Sequence, residues 1–131
     1  MSSSRVVCIV DDDESVRESL SGLLRSVGFV TRPFASAEAF LSGHDHALTQ
    51  CVILDVTMPG MSGAELQEHL LATGHEPPIV FITARTEQAL HTRLLERGAI
   101  ACLVKPFQEE ELLAAVKAAT QAAAEKREQH P

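Results

Sequence analysis

The chain has 131 residues, 45% of them apolar, enough to bury one core in a single domain without disulfide or metal staples. Its 11 Lys and Arg against 18 Asp and Glu leave a net charge of −7, which argues against a clustered basic face for nucleic acid. Met1 is followed by a polar Ser-Ser-Ser-Arg stretch and a first apolar run of only five residues, so neither a signal peptide nor a membrane span is expected, and the chain reads as cytoplasmic.

Val6 to Val10 is that first run, a buried parallel strand by its unbroken apolar character, and it ends in Asp11-Asp12-Asp13. Val16, Leu20, Leu23, Leu24 and Val27 then recur at helical spacing, with Asp13 and Glu14 at the positive end of the helix and Gly28 just past its last turn. Phe29 to Arg32 reads as a short strand closed by Pro33, and Ala37, Phe40 and Leu41 mark a brief second helix before a loop from Gly43 to Ala47. A third strand, Cys51 to Leu54, runs into Asp55.

Ser62 with Glu65 three residues on has the form of a capping box, and Leu66, Leu70 and Leu71 give the third helix its apolar stripe as far as Gly74. Pro77 and Pro78 precede a fourth strand, Ile79 to Ile82, which ends at Thr83. Thr86 is placed to cap a fourth helix with Ala89, Leu90, Leu94 and Leu95 inward, ended by Gly98. Strand five, Ile100 to Val104, runs into Lys105. Glu109 to Glu111 then open a last helix with Leu112, Leu113, Val116 and Ala119 on its inner face, extended by the alanine-rich stretch to Lys126. Residues 1–124 form the domain on this reading, and 125–131 are a polar tail or the start of a linker that frays from Arg127. The pattern is five strand-helix units, an α/β three-layer sandwich with a five-stranded parallel sheet and five helices joined by right-handed crossovers.

Cys8, Cys51 and Cys102 all fall inside predicted strands, an odd number without metal spacing, and read as small buried apolar side chains. His44-Asp45-His46 lies in a loop with no third ligand near it in sequence and reads as a solvated turn.

The chemistry gathers where the apolar runs stop. Asp11, Asp12, Asp55, Thr83 and Lys105 each follow or close a predicted parallel strand, so they meet at one sheet edge, the edge at which open α/β sheets bind ligands. Capping alone requires neither three consecutive acids nor a lysine fixed by Pro106. Three carboxylates around one point repel unless a hard divalent cation sits among them, and Mg²⁺ prefers such oxygen ligands and joins them to phosphoryl oxygens. A carboxylate nucleophile, a hydroxyl, a lysine and a metal together suit phosphoryl transfer.

Asp11-Asp12, the run from Asp55 through Met58-Pro59-Gly60-Met61-Ser62-Gly63, Ile82-Thr83-Ala84 and Lys105-Pro106-Phe107 resemble the receiver domain of two-component response regulators, in order and spacing, from about Arg5 to Thr120. Asp12 to Arg17 and Ser36-Ala37-Glu38-Ala39-Phe40-Leu41 are similar in particular to FixJ-type receivers. The resemblance implies a flavodoxin-like, doubly wound CheY-type fold in which Asp55 accepts a phosphoryl group from the phosphohistidine of a sensor histidine kinase. It implies Mg²⁺ held by Asp11, Asp12, Asp55 and the Thr57 carbonyl, with Asp11 acting mainly through water. Lys105, the Thr83 hydroxyl and the Ala84 amide would bind phosphoryl oxygens, while Pro59 shapes the adjacent loop and Pro106 follows a cis peptide.

On the same resemblance Thr83 and the residue three positions before the lysine form a switch, and any phosphorylation-dependent homodimer uses the helix 4, strand 5, helix 5 face. The chain departs from the family at that second position, where Cys102 replaces an aromatic ring. FixJ-type relatives usually continue into a DNA-binding domain, so an output in transcription is implied for a part outside these residues. A haloacid-dehalogenase-type phosphatase reading, with Asp11 to Asp13 as its Asp-x-Asp motif, leaves Asp55 idle and lacks an acidic pair after the lysine. An FMN-binding flavodoxin lacks its phosphate loop and stacking Trp or Tyr here. A receiver-like module that takes no phosphate is disfavoured by the complete acidic triad.

Overall fold

The computed structural model describes residues 6–128. Five strands alternate with five helices: β1 Val6–Val10, α1 Glu14–Ser26, β2 Val30–Phe34, α2 Ala37–Gly43, β3 Thr49–Asp55, α3 Gly63–Thr73, β4 Ile79–Thr83, α4 Gln88–Glu96, β5 Ala101–Val104 and α5 Glu109–Glu128. The strands form one parallel sheet in the order β2-β1-β3-β4-β5.

Strand periodicity divides the core. Val6, Cys8 and Val10 of β1, with Val52 and Leu54 of β3 and Phe81 of β4, pack against Phe40 of α2, Leu66 and Leu70 of α3 and Leu90 and Leu94 of α4. The alternate residues Val7, Ile9, Cys51, Ile53, Val80 and Ile82 face the other way, onto Leu20 and Leu24 of α1 and Leu112, Val116 and Ala119 of α5. Both faces of the central strands are therefore dry, which is why their sequences read as unbroken apolar runs.

The expected helix ends are present where a specific side chain makes them. Asp13 accepts from the Ser15 and Val16 amides, and Ser62 and Glu65 form a reciprocal capping box. Gly74 closes α3 in the left-handed region at φ 76°.

The structure corrects the sequence reading elsewhere. β2 does not stop before Pro33 but continues through it to Phe34, because β2 is an edge strand and an edge tolerates a missing amide donor. β5 is also an edge, and its residues are half-buried, with Val104 exposed, rather than fully buried. The N-cap of α4 is Glu87, whose side chain makes no capping bond, not Thr86. Over that nine-residue helix the inner stripe is narrowed to Leu90 and Leu94, so Ala89 and Leu95 face outward, and Leu71 of α3 is likewise exposed beside inward Leu70. α5 runs without a break through Arg127 to Glu128, beyond the start of the expected frayed tail; residues 129–131 lie outside the described range.

Two glycines separate packing from propensity. A Cβ at Gly63 would overlap the Asp55 carbonyl oxygen, whereas one at exposed Gly22, inside α1, would meet nothing. Gly63→Ala is expected to cost about 1–3 kcal/mol as overpacking against backbone, and Gly22→Ala to gain about 0.5–1 kcal/mol from helix propensity. Thermal unfolding of the two variants beside the wild type checks both signs.

Candidate functional site

The order of the sheet reverses between β1 and β3, since the chain leaves β1 toward β2 on one side and β3 toward β4 on the other. The crevice beyond the carboxyl ends of these two strands is where the predicted residues gather. Ligand oxygens of Asp11, Asp12 and Asp55 all lie within 4.8 Å of one another, and this is the one such group of three potential metal ligands among the described residues.

The three consecutive acids after β1 have three different tasks. Asp11 is fully buried; one carboxylate oxygen accepts from the Asp13 amide at 2.9 Å and the other from Lys105 Nζ at 3.1 Å. Asp12 is exposed and faces the opening, and Asp13 caps α1. Asp55, at the end of β3, is buried, and its Oδ1 accepts from the Thr57 amide at 3.3 Å while Oδ2 lies 3.6 Å from Lys105 Nζ. One ammonium thus stands between two buried carboxylates.

Lys105 is presented by its backbone, whose amide donates to the Thr83 carbonyl at 2.7 Å, and by the cis Lys105-Pro106 bond that follows. Thr83 is fully buried at the end of β4; its Oγ1 accepts from the Arg85 amide at 2.9 Å. Ala84, next in the chain, is exposed, as are Thr57 and Pro59 in the loop after β3. Cys102, in register with Phe81, is half-buried against the α2–α4 side of the core rather than enclosed like Cys8 and Cys51.

The electrostatics are strained. Burial raises the Asp55 pKa above the ordinary carboxylate value, and Asp11 raises it further, outweighing the opposing help of Lys105 and the Thr57 amide. Burial acts against the Lys105 ammonium, but its hydrogen bond to Asp11 and the charges of Asp55 and Asp11 prevail and hold its pKa above the usual lysine value. With all groups ionised, three carboxylates face one ammonium, so the cluster retains a negative excess and hard oxygen donors, the chemistry that a divalent cation of the Mg²⁺ type accepts.

Two contributors escaped the sequence reading. Arg17, on the first turns of α1, donates from Nη1 to the Asp11 carbonyl at 2.7 Å, and Glu38 of α2 accepts from the Met61 amide at 3.0 Å. Arg17 follows the cap Asp13 by one helical turn, a spacing that could have flagged it; no local spacing connects Glu38 to a loop 23 residues away. The histidine turn is not a chelate: His44 stacks on Phe40 with ring centres 4.0 Å apart, and His46 instead meets the distant His75.

Residues 7–117 match the family model described as the response regulator receiver domain. The chain is 40% identical over 126 residues to the response regulator protein TodT of Pseudomonas putida, covering 96% of this chain and 56% of that one. It is 38% identical over 125 residues to the transcriptional regulatory protein FixJ of Azorhizobium caulinodans, covering 95% of this chain and 59% of the relative. The solved structure of response regulator StyR superposes with a TM-score of 0.89 at 47% identity, over 95% of this chain and 63% of that one. The chain therefore spans little more than half the length of these curated relatives.

An acid whose pKa is higher in the folded than in the unfolded chain favours folding only while protonated; that contribution is complete below the ordinary carboxylate range and is lost as pH rises through the folded value. Asp55→Asn, which cannot ionise, should therefore melt a few degrees above the wild type at pH 7 without metal, and the gap should close as the pH falls below about 4. Calorimetric scans across that range check the sign.

Proposed function

The chain belongs to the response regulator receiver family, and from that premise we propose that Asp55 is its phosphoryl acceptor and that Asp11, Asp12, Asp55 and the Thr57 carbonyl hold Mg²⁺. It is a receiver domain of a two-component response regulator, a phosphorylation-controlled signalling module. The single observation that carries the residue assignment is Lys105 Nζ standing 3.1 Å from Asp11 and 3.6 Å from Asp55 beside the buried Thr83.

In the reaction an Asp55 carboxylate oxygen attacks the phosphorus of the phosphohistidine on a sensor histidine kinase. A P–O bond forms as the P–N bond breaks, and the imidazole leaves with the electron pair. Mg²⁺, when bound, neutralises charge on the acidic cluster and the phosphoryl oxygens. Lys105 moves its ammonium from the carboxylate pair onto a phosphoryl oxygen, and the Thr83 hydroxyl, with the Ala84 amide, takes another. The domain catalyses only its own phosphorylation and dephosphorylation. Preorganisation supports this reading: the Asp13 amide already directs Asp11, the Thr57 amide Asp55 and the Arg85 amide Thr83, so only the Lys105 ammonium and the Thr83 hydroxyl need to adjust.

The switch, in this reading, is Thr83 with Cys102, and phosphorylation-dependent dimers form on the α4, β5, α5 face. The relative FixJ is named a transcriptional regulatory protein, and we extend an output in transcription to the whole protein that this receiver serves, with no nucleic acid contacted by this chain itself. We place the receiver at residues 1–124 and read 125–131 as a polar tail or the start of a linker, with α5 carrying the helix past that boundary to Glu128. We assign the domain to the cytoplasm, where a sensor kinase would phosphorylate it; no described helix is long and apolar enough to cross a membrane.

Acetyl phosphate with Mg²⁺ should add one phosphoryl mass to the wild type and none to Asp55→Asn, read by intact-protein mass spectrometry; phosphate mapped to Asp11 would instead favour a phosphatase-type site. Cys102→Tyr should strengthen dimerisation in the presence of beryllofluoride, a phosphoryl mimic, without changing Mg²⁺ affinity. Strong wild-type dimerisation equal to that of the variant in sedimentation would show that an aromatic ring is not needed for the switch.

A further inference from the structure

The loop from Val56 to Ser62 carries Thr57, and its two ends are fixed. At its base the Val56 amide donates to the Ile82 carbonyl at 3.1 Å and the Gly63 amide to the Val56 carbonyl at 2.8 Å; at its far end Ser62 and Glu65 form the cap of α3. Buried Met58 anchors the near half in the core. The remaining half, Pro59, Gly60 and Met61, bonds to neither the sheet nor α3 through any of these contacts.

The half-buried Met61 side chain rests against the core, and the hydrogen bond to the backbone of that half comes from another element. Glu38, in the first turn of α2, reaches across to accept the Met61 amide at 3.0 Å. Gly60 lies directly against the same carboxylate, since a Cβ there would stand 2.8 Å from Glu38 Oε2, and its φ of +75° makes the turn that exposes the Met61 amide. Glu38 is not the cap of α2, which Ser36 provides through the Ala39 amide; besides Met61 its carboxylate bonds only its own backbone amide among the described residues. The Met61 bond also holds the Glu38 carboxyl below its ordinary pKa, so the acceptor is charged wherever the protein is folded near neutrality.

We propose that Glu38 is a positioning residue for the metal side of the phosphorylation site: its bond to the Met61 amide restrains the loop whose Thr57 carbonyl completes the Mg²⁺ shell. The inference rests on the metal reading above. It requires no contact between Glu38 and metal or phosphoryl group. The carboxylate removes alternative loop conformations that would turn the Thr57 carbonyl away, so its loss appears as weaker metal binding rather than as unfolding.

Glu38→Ala removes the acceptor, and Glu38→Gln keeps a neutral one of the same shape. Titration of Mg²⁺ followed by amide NMR shifts should show about three- to tenfold weaker binding for Glu38→Ala and a value within about twofold of wild type for Glu38→Gln, the range expected for one charge-assisted bond at an exposed site. Without any metal, exchange of the Met61 amide should quicken in the alanine variant and not in the glutamine variant, while the melting midpoint of the alanine variant falls by no more than about a few degrees and that of the glutamine variant stays near wild type. Wild-type Mg²⁺ affinity in Glu38→Ala would overturn the inference alone. A wild type that binds no Mg²⁺, or binds it no better than Asp12→Ala, would overturn the metal reading and this inference with it.

Discussion

The contact on which the site depends is the reach of one lysine across the end of the sheet. Lys105 follows β5, Asp11 follows β1, and β3 and β4 lie between them. Strands about 4.8 Å apart put β5 and β1 three spacings from each other, too far for any strand-to-strand contact. Only a long side chain laid over the carboxyl ends, from a backbone fixed on Thr83, closes that distance. The five-stranded order, the depth of Asp55 at the end of β3 and the turn at Lys105-Pro106 all serve it.

That contact leaves the site incompletely neutralised. A structure selected for stability alone would not bury Asp11 and Asp55 together with one ammonium between them and a third carboxylate at the opening. Burial and Asp11 make the charged form of Asp55 costly in the free protein. The same cost is relieved by anything cationic that enters, so a divalent cation bound there would draw on a strain already present in the fold.

The loops around the cluster are held by backbone hydrogen bonds more than by packing. Asp11 is fixed through the Asp13 amide, Asp55 through the Thr57 amide and Thr83 through the Arg85 amide, each a contact two residues along the chain. These short closures make each side chain's direction a local property, while the sheet brings the directions together. By contrast, the α4 side is lightly tied: its N-cap lacks a side-chain bond, and Cys102 leaves β5 with a small half-buried side chain where a ring would fill more space.

Much of this was legible in the chain itself. Unbroken apolar runs marked the inner strands, because residues buried on both faces leave no alternation, and helix caps at Asp13 and Ser62 follow from the chemistry of orphan amides within three residues. The polar residues ending those runs pointed to the cluster of Asp11, Asp12, Asp55 and Lys105 at the sheet edge. Other features depended on neighbours that local sequence cannot specify. Pro33 lies within β2 and Val104 is exposed because the sheet order makes β2 and β5 edges, and Leu95 faces outward because α4 offers the sheet only a narrow stripe. Which of three consecutive acids meets the lysine, and that Glu38 grips the loop after β3, arise from contacts spanning 94 and 23 residues. Local chemistry sets what each segment can do; only the crossing of β-strands and helices in space decides which segments meet.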